Sequence, residues 1–244
     1  MRAYLLSLTL SAALMPTLGC AAADIPTEAL VDYVEDAQAH VSNQALPMGR
    51  LMVSTRGNTT AIMSDNGRYK FSGPIIDTWL GIEIKSYEDA LYSSEHLSLQ
   101  NLKFRAEYLD PLVWGEGAQR AMVFLSPDDP NSRAFLSEAS KHLSLYTFDL
   151  IVIPSKTTPL GLAHAFACPS DASAAMRALL SNNGYDDLRA EDGCNYDKLT
   201  NRILASNMLG FDDLPAVLTP STRLAVGAPS DGKSWAQFLM ENTL

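Results

Sequence analysis

Three groups of side chains in this 244-residue chain are of types that do chemistry. The first is the thiols Cys20, Cys168 and Cys194. A pair that exchanges disulfides wants a short C-x-x-C with one thiol at a helix N-terminus, where the thiolate is favoured. Cys168 and Cys194 are too far apart in sequence for that, so they read as a structural pair. The second group is carboxylates. Asp128-Asp129 and Asp212-Asp213 could do general acid–base work or hold a cation if the fold joined them, although Asp-rich surface turns are the commoner reason for such pairs. The third is Ser230-Asp231-Gly232-Lys233, which has the S-x-x-K spacing of some serine acyl-enzymes and reads more simply as the cap of a final helix. The histidines, His40, His96, His142 and His164, sit on different segments without an H-x-x-x-H or C-x-x-C companion. No metal site is expected from that spacing, and nothing in the chain calls for a cofactor.

Composition narrows the classes. With 28 Asp+Glu against 18 Lys+Arg the net charge is −10, and 47% of the residues are apolar. That is ordinary globular composition. An acidic chain with no Lys/Arg cluster cannot neutralise many phosphates, so nucleic-acid binding by a basic face is disfavoured. The first 23 residues read as an export leader. Arg2 precedes an apolar run from Leu5 to Leu14 that is too short to span a bilayer, and Ala21-Ala22-Ala23 is a cleavage site of the secretory type. A rival cut before Cys20 would leave a lipidated cysteine, but Pro16 and Thr17 fit that box poorly. Export implies an oxidising compartment, expected to be the periplasm, with a soluble product favoured over an anchored one. With Cys20 removed or lipidated, Cys168 and Cys194 are left as an even pair expected to bond to each other. Closing that loop would contribute about 3 kcal/mol by restricting the unfolded chain.

The elements that must position these groups follow from pattern. Residues 27–41 predict a short amphipathic helix with Thr27 as N-cap. Strand-like runs follow at Leu51–Ser54, Thr60–Met63 and Tyr69–Ser72, with Asp65-Asn66-Gly67 as a hairpin turn, and another run begins at Ile75. From Tyr87 to about Tyr108 the spacing predicts a long, polar helix ended by Pro111, with Gly115-Glu116-Gly117 as a boundary. Beyond it, Ala121–Leu125, a helix over 131–143 and Phe148–Ile153 predict a β-α-β unit. Helices over 170–182 and 195–208 follow, with Ser170 and Asn195 as candidate caps and glycines at 184 and 210 as stops. Pro215–Leu218 and Leu224–Val226 predict a hairpin, and Ser234–Met240 a final helix.

In that order of elements, and over essentially the whole mature length, the chain resembles the DsbC/DsbG family of periplasmic protein disulfide isomerases. Asp65-Asn66-Gly67-Arg68-Tyr69-Lys70-Phe71-Ser72-Gly73-Pro74 looks like the hairpin and Gly-Pro of that family's dimerisation domain. Val123-Phe124-Leu125-Ser126-Pro127-Asp128-Asp129-Pro130-Asn131-Ser132-Arg133 looks like its active-site segment. Cys168 and Cys194 fall where the family keeps a second, structural disulfide, and Leu214-Pro215-Ala216-Val217 resembles the segment whose proline is cis and faces the redox cysteines. The resemblance implies an N-terminal α+β dimerisation domain over 24–86, a linker helix over 87–112, and an α/β thioredoxin-like domain with a helical insertion over 113–244. It also implies a homodimer built through strands within 50–85.

One departure decides the chemistry. At the two redox-cysteine positions stand Asp129 and Ser132, so the motif reads Asp129-Pro130-Asn131-Ser132. Exchange needs a thiolate to attack sulfur and a second thiol to resolve the mixed disulfide. Carboxylate and hydroxyl can do neither. Asp129 with Pro130 behind it is a good helix start, which gives a stable cap as the plain reading and a new functional role as the other. The functional expectation is a redox-inactive exported protein that binds unfolded or secreted polypeptides as a chaperone or assembly factor. The alternative is a dedicated component of an envelope secretion or conjugation apparatus that docks one partner. An enzyme using Asp129 or Ser132 is a third reading and would need a pocket that the sequence does not reveal.

Overall fold

The computed structural model describes residues 50–56 and 59–243. The leader expected over residues 1–23, Cys20 and the helix expected over 27–41 lie outside the described residues. The described part belongs to one unit, Pro47–Leu244.

Its first portion is strand. β1 (Leu51–Arg56), β2 (Thr59–Ser64) and β3 (Lys70–Phe71) form an antiparallel sheet in that order, with Val53 opposite Ile62 and Ile62 opposite Phe71. The turn from β2 to β3 works through its side chains. Ser64 Oγ donates to Asn66 Oδ1, which also accepts from Arg68 N, and Gly67 takes the positive φ of 69° that a side chain would resist. β4 (Ile75–Asp77) and β5 (Ile82–Ile84) make a separate two-stranded pair.

The linker helix expected over 87–112 is much shorter. α1 covers Tyr87–Glu95 only, opened by a capping box in which Ser86 and Asp89 satisfy each other's backbone N–H. At His96 the chain turns extended, bridges to Arg223, and Leu97 N donates to Thr222 O at 2.8 Å. Leu97 is thereby buried beside Leu209 and Leu218. Packing of this one leucine and its backbone pairing outweigh a weakly amphipathic helix, whose stability must come from tertiary contacts in any case. The remainder to Asp110 is turns and a 3-10 segment over Ala106–Leu109.

The main sheet contains β6 (Leu112–Trp114), β7 (Gln119–Leu125), β8 (Tyr146–Val152), β9 (Ala216–Leu218) and β10 (Leu224–Val226), in the order β10-β9-β7-β8-β6. β7 and β8 are parallel and joined by α2 (Pro130–Ala139), whereas β9, β10 and β6 run antiparallel to their neighbours. A β-α-β crossover followed by a hairpin and a last helix, α6 (Trp235–Glu241), is the thioredoxin-like α/β arrangement. The helical insertion between β8 and β9 comprises α3 (Leu160–Ala167), α4 (Ala172–Ser181) and α5 (Asp197–Met208). α3 escapes the sequence reading because its apolar residues, Leu160-Gly161-Leu162-Ala163, show no contrast with a polar face.

Alternation along the strands divides the core into two layers. Ala121, Val123 and Leu125 with Phe148, Leu150 and Val152 face α2 and α6, where Phe135 meets Trp235 edge-on. Met122, Phe124 and Ile151 face the other way, against Ala205, Leu209 and Phe211. Gly115-Glu116-Gly117, expected as a boundary, is also a close approach. A Cβ on Gly117 would lie 1.9 Å from the Leu145 carbonyl carbon, so only glycine fits.

The insertion is locked to the sheet by one buried cation. Arg202 of α5 is fully buried and donates to Leu109 O at 2.9 Å, Asp110 O at 2.5 Å, Phe166 O at 3.1 Å and Val152 O at 3.3 Å. Burial pulls its pKa down to about 10, against the opposing charge of Asp110, so it stays protonated at neutral pH. Arg202→Leu keeps much of the volume and deprives those carbonyls of their donors. Urea denaturation should show a loss of roughly 3–5 kcal/mol; a loss under about 1 kcal/mol would mean that water replaces the guanidinium.

Candidate functional site

The segment that carries redox thiols in the resembling family lies at the N-terminus of α2, immediately after β7. Asp129 is the N-cap, with its carboxylate accepting from Ser132 N at 2.6 Å, and Pro130 occupies the first turn, where a missing N–H costs nothing. The anion that this helix end favours is therefore built in. Ser132 is fully buried, and its Oγ accepts from Ser126 N at 3.3 Å. Asn131 is exposed. Arg133 is spent on structure, donating to Pro127 O, Leu179 O and the Tyr185 hydroxyl.

Asp128 has a different task. Its carboxylate accepts from Ser126 Oγ at 2.7 Å, Thr158 Oγ1 at 2.6 Å, Thr157 Oγ1 at 2.5 Å and Ser155 Oγ at 2.9 Å. Partial desolvation works to raise this carboxyl, but the hydroxyls of Thr157, Thr158, Ser126 and Ser155 outweigh it and hold it well below the usual carboxylate range. A general acid at neutral pH needs the opposite shift. Asp128 is thus the pin that ties the β7–α2 turn to the β8–α3 loop.

Between that loop, the end of α5 and the segment before β9 lies an open cleft of about 460 Å³. Asp129, Lys156, Asp212 and Asp213 are among its polar lining groups, and Ile153, Phe211 and Leu214 among its apolar ones. The Leu214–Pro215 peptide bond at its edge is cis, and Pro215 O accepts from Gly227 N at 2.9 Å. The fold therefore gathers Asp129, Asp212 and Asp213 round one cleft, while Asp128 turns aside to its hydroxyls.

The other sequence-predicted groups separate. Lys233 Nζ pairs with Glu241 Oε2 at 2.6 Å, and the cap of α6 is Ser234, in a capping box with Gln237, rather than Ser230. Ser230 begins a 3-10 turn. Asp171, not Ser170, caps α4, accepting from Ser173 N and Ala174 N. α5 begins at Asp197, with Tyr196 as its N-cap and Asn195 Oδ1 accepting from Asp197 N. Cys168 and Cys194 form a disulfide. Beside it sits His164, which the sequence reading passed over; its ring nitrogen and the two sulfurs lie within 4.8 Å of one another. The signal was present as His164-x-x-x-Cys168, four residues apart and so on one helix face. Among the described residues no helix is long and apolar enough to cross a membrane.

No family model and no curated protein matches the chain. Solved structures do. A disulfide interchange protein from Neisseria gonorrhoeae is 19% identical with a TM-score of 0.45, covering 55% of this chain and 96% of the other. The thiol-disulfide exchange protein alpha-DsbA2 from Wolbachia pipientis is 15% identical with a TM-score of 0.42, covering 65% and 97%. A periplasmic thioredoxin-like protein from Salmonella enterica serovar Typhimurium is 13% identical with a TM-score of 0.40, covering 56% and 90%. The fold itself is defined by the strand order and the crossover described above.

Asp128→Asn removes the charge that four hydroxyls solvate and should cost ~1 kcal/mol, since the group is partly open to solvent. Because the folded carboxyl titrates below its unfolded value of about 3.9, its contribution is complete above that value and disappears as pH falls. The wild-type and Asp128→Asn urea midpoints should differ by a constant amount from about pH 5 to 8 and begin to converge only below about pH 4, closing as pH falls further toward the depressed folded value. A gap that widens on acidification would contradict this assignment.

Proposed function

We propose that this thioredoxin-like chain is an exported, polypeptide-binding chaperone or assembly factor of DsbC/DsbG type that has lost redox chemistry. One observation carries the reading. At the helix N-terminus where exchange would occur, the first position is a carboxylate already bonded to Ser132 N, and the second is a buried hydroxyl. Neither atom can form a mixed disulfide. The described cysteines are tied to each other in the insertion, consistent with an oxidising compartment.

The architecture round the lost centre supports binding. The cleft between α5, the β8–α3 loop and the cis-proline segment offers apolar side chains with a rim of carboxylates and one lysine. That combination suits an extended polypeptide segment, whose side chains alternate between apolar contact and solvent. A homodimer would place two such clefts together. The three-stranded sheet supplies a means, because β1 is its edge strand and carries exposed Leu51 and Met52.

Purified protein should give no refolding of scrambled ribonuclease above background and should suppress citrate-synthase aggregation at substoichiometric amounts. Isomerase activity in the wild type would overturn the redox-inactive reading. Failure in both assays, with capture of one stoichiometric partner, would favour the dedicated envelope component. The double substitution Asp129→Cys with Ser132→Cys puts a thiol at the dipole-favoured helix end and should confer dithiol reductase activity, read as insulin reduction. An inert but folded double variant would mean that the cleft no longer admits a disulfide.

A further inference from the structure

The Cys168–Cys194 bridge sits in surroundings that a purely structural disulfide does not require. Cys168 ends α3 and is 2% exposed; His164, one turn earlier on the same face, is 9% exposed. Cys194 comes from the loop before α5 and is half-buried. The three donor groups converge on one point, the carbonyl oxygen of Asn195. His164 Nε2 lies 3.0 Å from it, Cys194 Sγ 3.6 Å and Cys168 Sγ 3.9 Å.

Convergence survives without the sulfur–sulfur bond, because the backbone holds the two cysteines independently. Glu191 N donates to Cys168 O at 2.8 Å, Cys194 N donates to Glu191 O at 3.1 Å, and Ser170 N donates to Arg189 O at 3.1 Å. Pro169 and Ala190 form a β-bridge between the same two segments. Outer contacts fix the third donor. The Tyr196 ring stacks on the His164 imidazole with centroids 4.1 Å apart, and Asn195 is anchored through Asp197 N and Oδ2.

We propose that this cluster is a redox-gated zinc site, in which the reduced Cys168 and Cys194 thiolates and the His164 imidazole bind one Zn²⁺. Two thiolates and an imidazole are a donor set that zinc prefers among available divalent ions, and the fourth tetrahedral position is left to water on the open Cys194 side. A small dithiol reductant supplies the electrons. Its two thiols become a disulfide as the protein disulfide becomes two thiols, and zinc then displaces one proton from each cysteine. On binding, the proton that Nε2 donates to Asn195 O moves to Nδ1 by tautomerisation through solvent, and the Nε2 lone pair takes the metal in place of that hydrogen bond. The oxidised bridge has no thiolate to offer, so the same residues alternate between a covalent staple and a metal staple holding the insertion together. The inference stands apart from the client-binding reading, since the cluster belongs to the insertion and not to the cleft.

Zinc titration against a chromophoric chelator tests it, using oxidised, phosphine-reduced and reduced-then-alkylated protein. The reduced form should take up one zinc per chain, and both controls should bind at least about 100-fold more weakly. Cobalt in place of zinc should give the intense thiolate-to-metal band and the visible bands of a tetrahedral site. His164→Gln, checked in the oxidised form by circular dichroism, should lower zinc affinity of the reduced protein at least about tenfold. Should reduction unfold the insertion, zinc should restore the wild-type spectrum and leave the reduced His164→Gln variant unfolded. The proposal is overturned by a reduced wild type that binds no more zinc than the alkylated control, or by a His164→Gln variant that keeps wild-type affinity.

Discussion

A buried guanidinium whose hydrogen bonds go to backbone carbonyls is the constraint on which the rest of this protein depends. Moving a charge out of water is costly unless every donor is satisfied. Arg202 places a hydrogen bond on each of its three guanidinium nitrogens, using backbone carbonyls from three places: Leu109 and Asp110 before β6, the end of β8, and α3. Arginine suits the position because its charge persists on burial and its planar fork reaches several acceptors at once. Each acceptor is a fixed point of the architecture. The end of β8 leads into the loop that binds Asp128, α3 leads to Cys168, and α5, which carries Arg202, follows directly from Cys194. The insertion is held at one end by this cation and at the other by the disulfide.

Within that frame the N-terminal end of α2 is mechanical. Asp129 satisfies an orphan N–H of α2, and Asp128 gathers hydroxyls from the facing loop, so the two adjacent carboxylates do different work. Both are anions at a helix N-terminus, where a thiolate would otherwise be stabilised. The same local field that tunes a reactive cysteine elsewhere also favours a carboxylate, and here Asp129 occupies it as the N-cap of α2. What remains open is the cleft, lined by Asp129, Asp212 and Asp213 together with the apolar Ile153, Phe211 and Leu214.

Much of the fold was legible in the chain because its signals are local. The parallel strands β7 and β8 are largely apolar, the first continuously from Ala121 to Leu125 and the second interrupted at Asp149, with a helix between them, and the Asn-Gly turn, the Asp129-Pro130 helix start and the stop at Gly210 are each written within a few residues. Other features were not local. The polar stretch after Tyr87 suggests a long helix on imperfect spacing, and the distant Thr222 and Arg223, pairing with residues 97 and 96, take the chain out of helix after Glu95. The helix over 160–167 lacks an amphipathic signature because it is apolar on most sides. Its histidine looked isolated until the loop carrying Cys194 was folded against it.

The sequence by itself excluded thiol–disulfide exchange by the side chains at 129 and 132, because Asp and Ser cannot exchange disulfides in any fold. It also determined the Asp129-Pro130 helix start, the Asn-Gly turn and the two-sided strand pattern, all of which depend on residues within one turn or one strand of each other. Tertiary structure alone decided which groups meet. The four carbonyls round Arg202, the hydroxyls round Asp128 and the sulfurs beside His164 come from segments tens of residues apart. The reason is physical: such sites satisfy buried or concentrated charge with whatever polar atoms the packed backbone brings within reach, and that set is fixed only when the layers close.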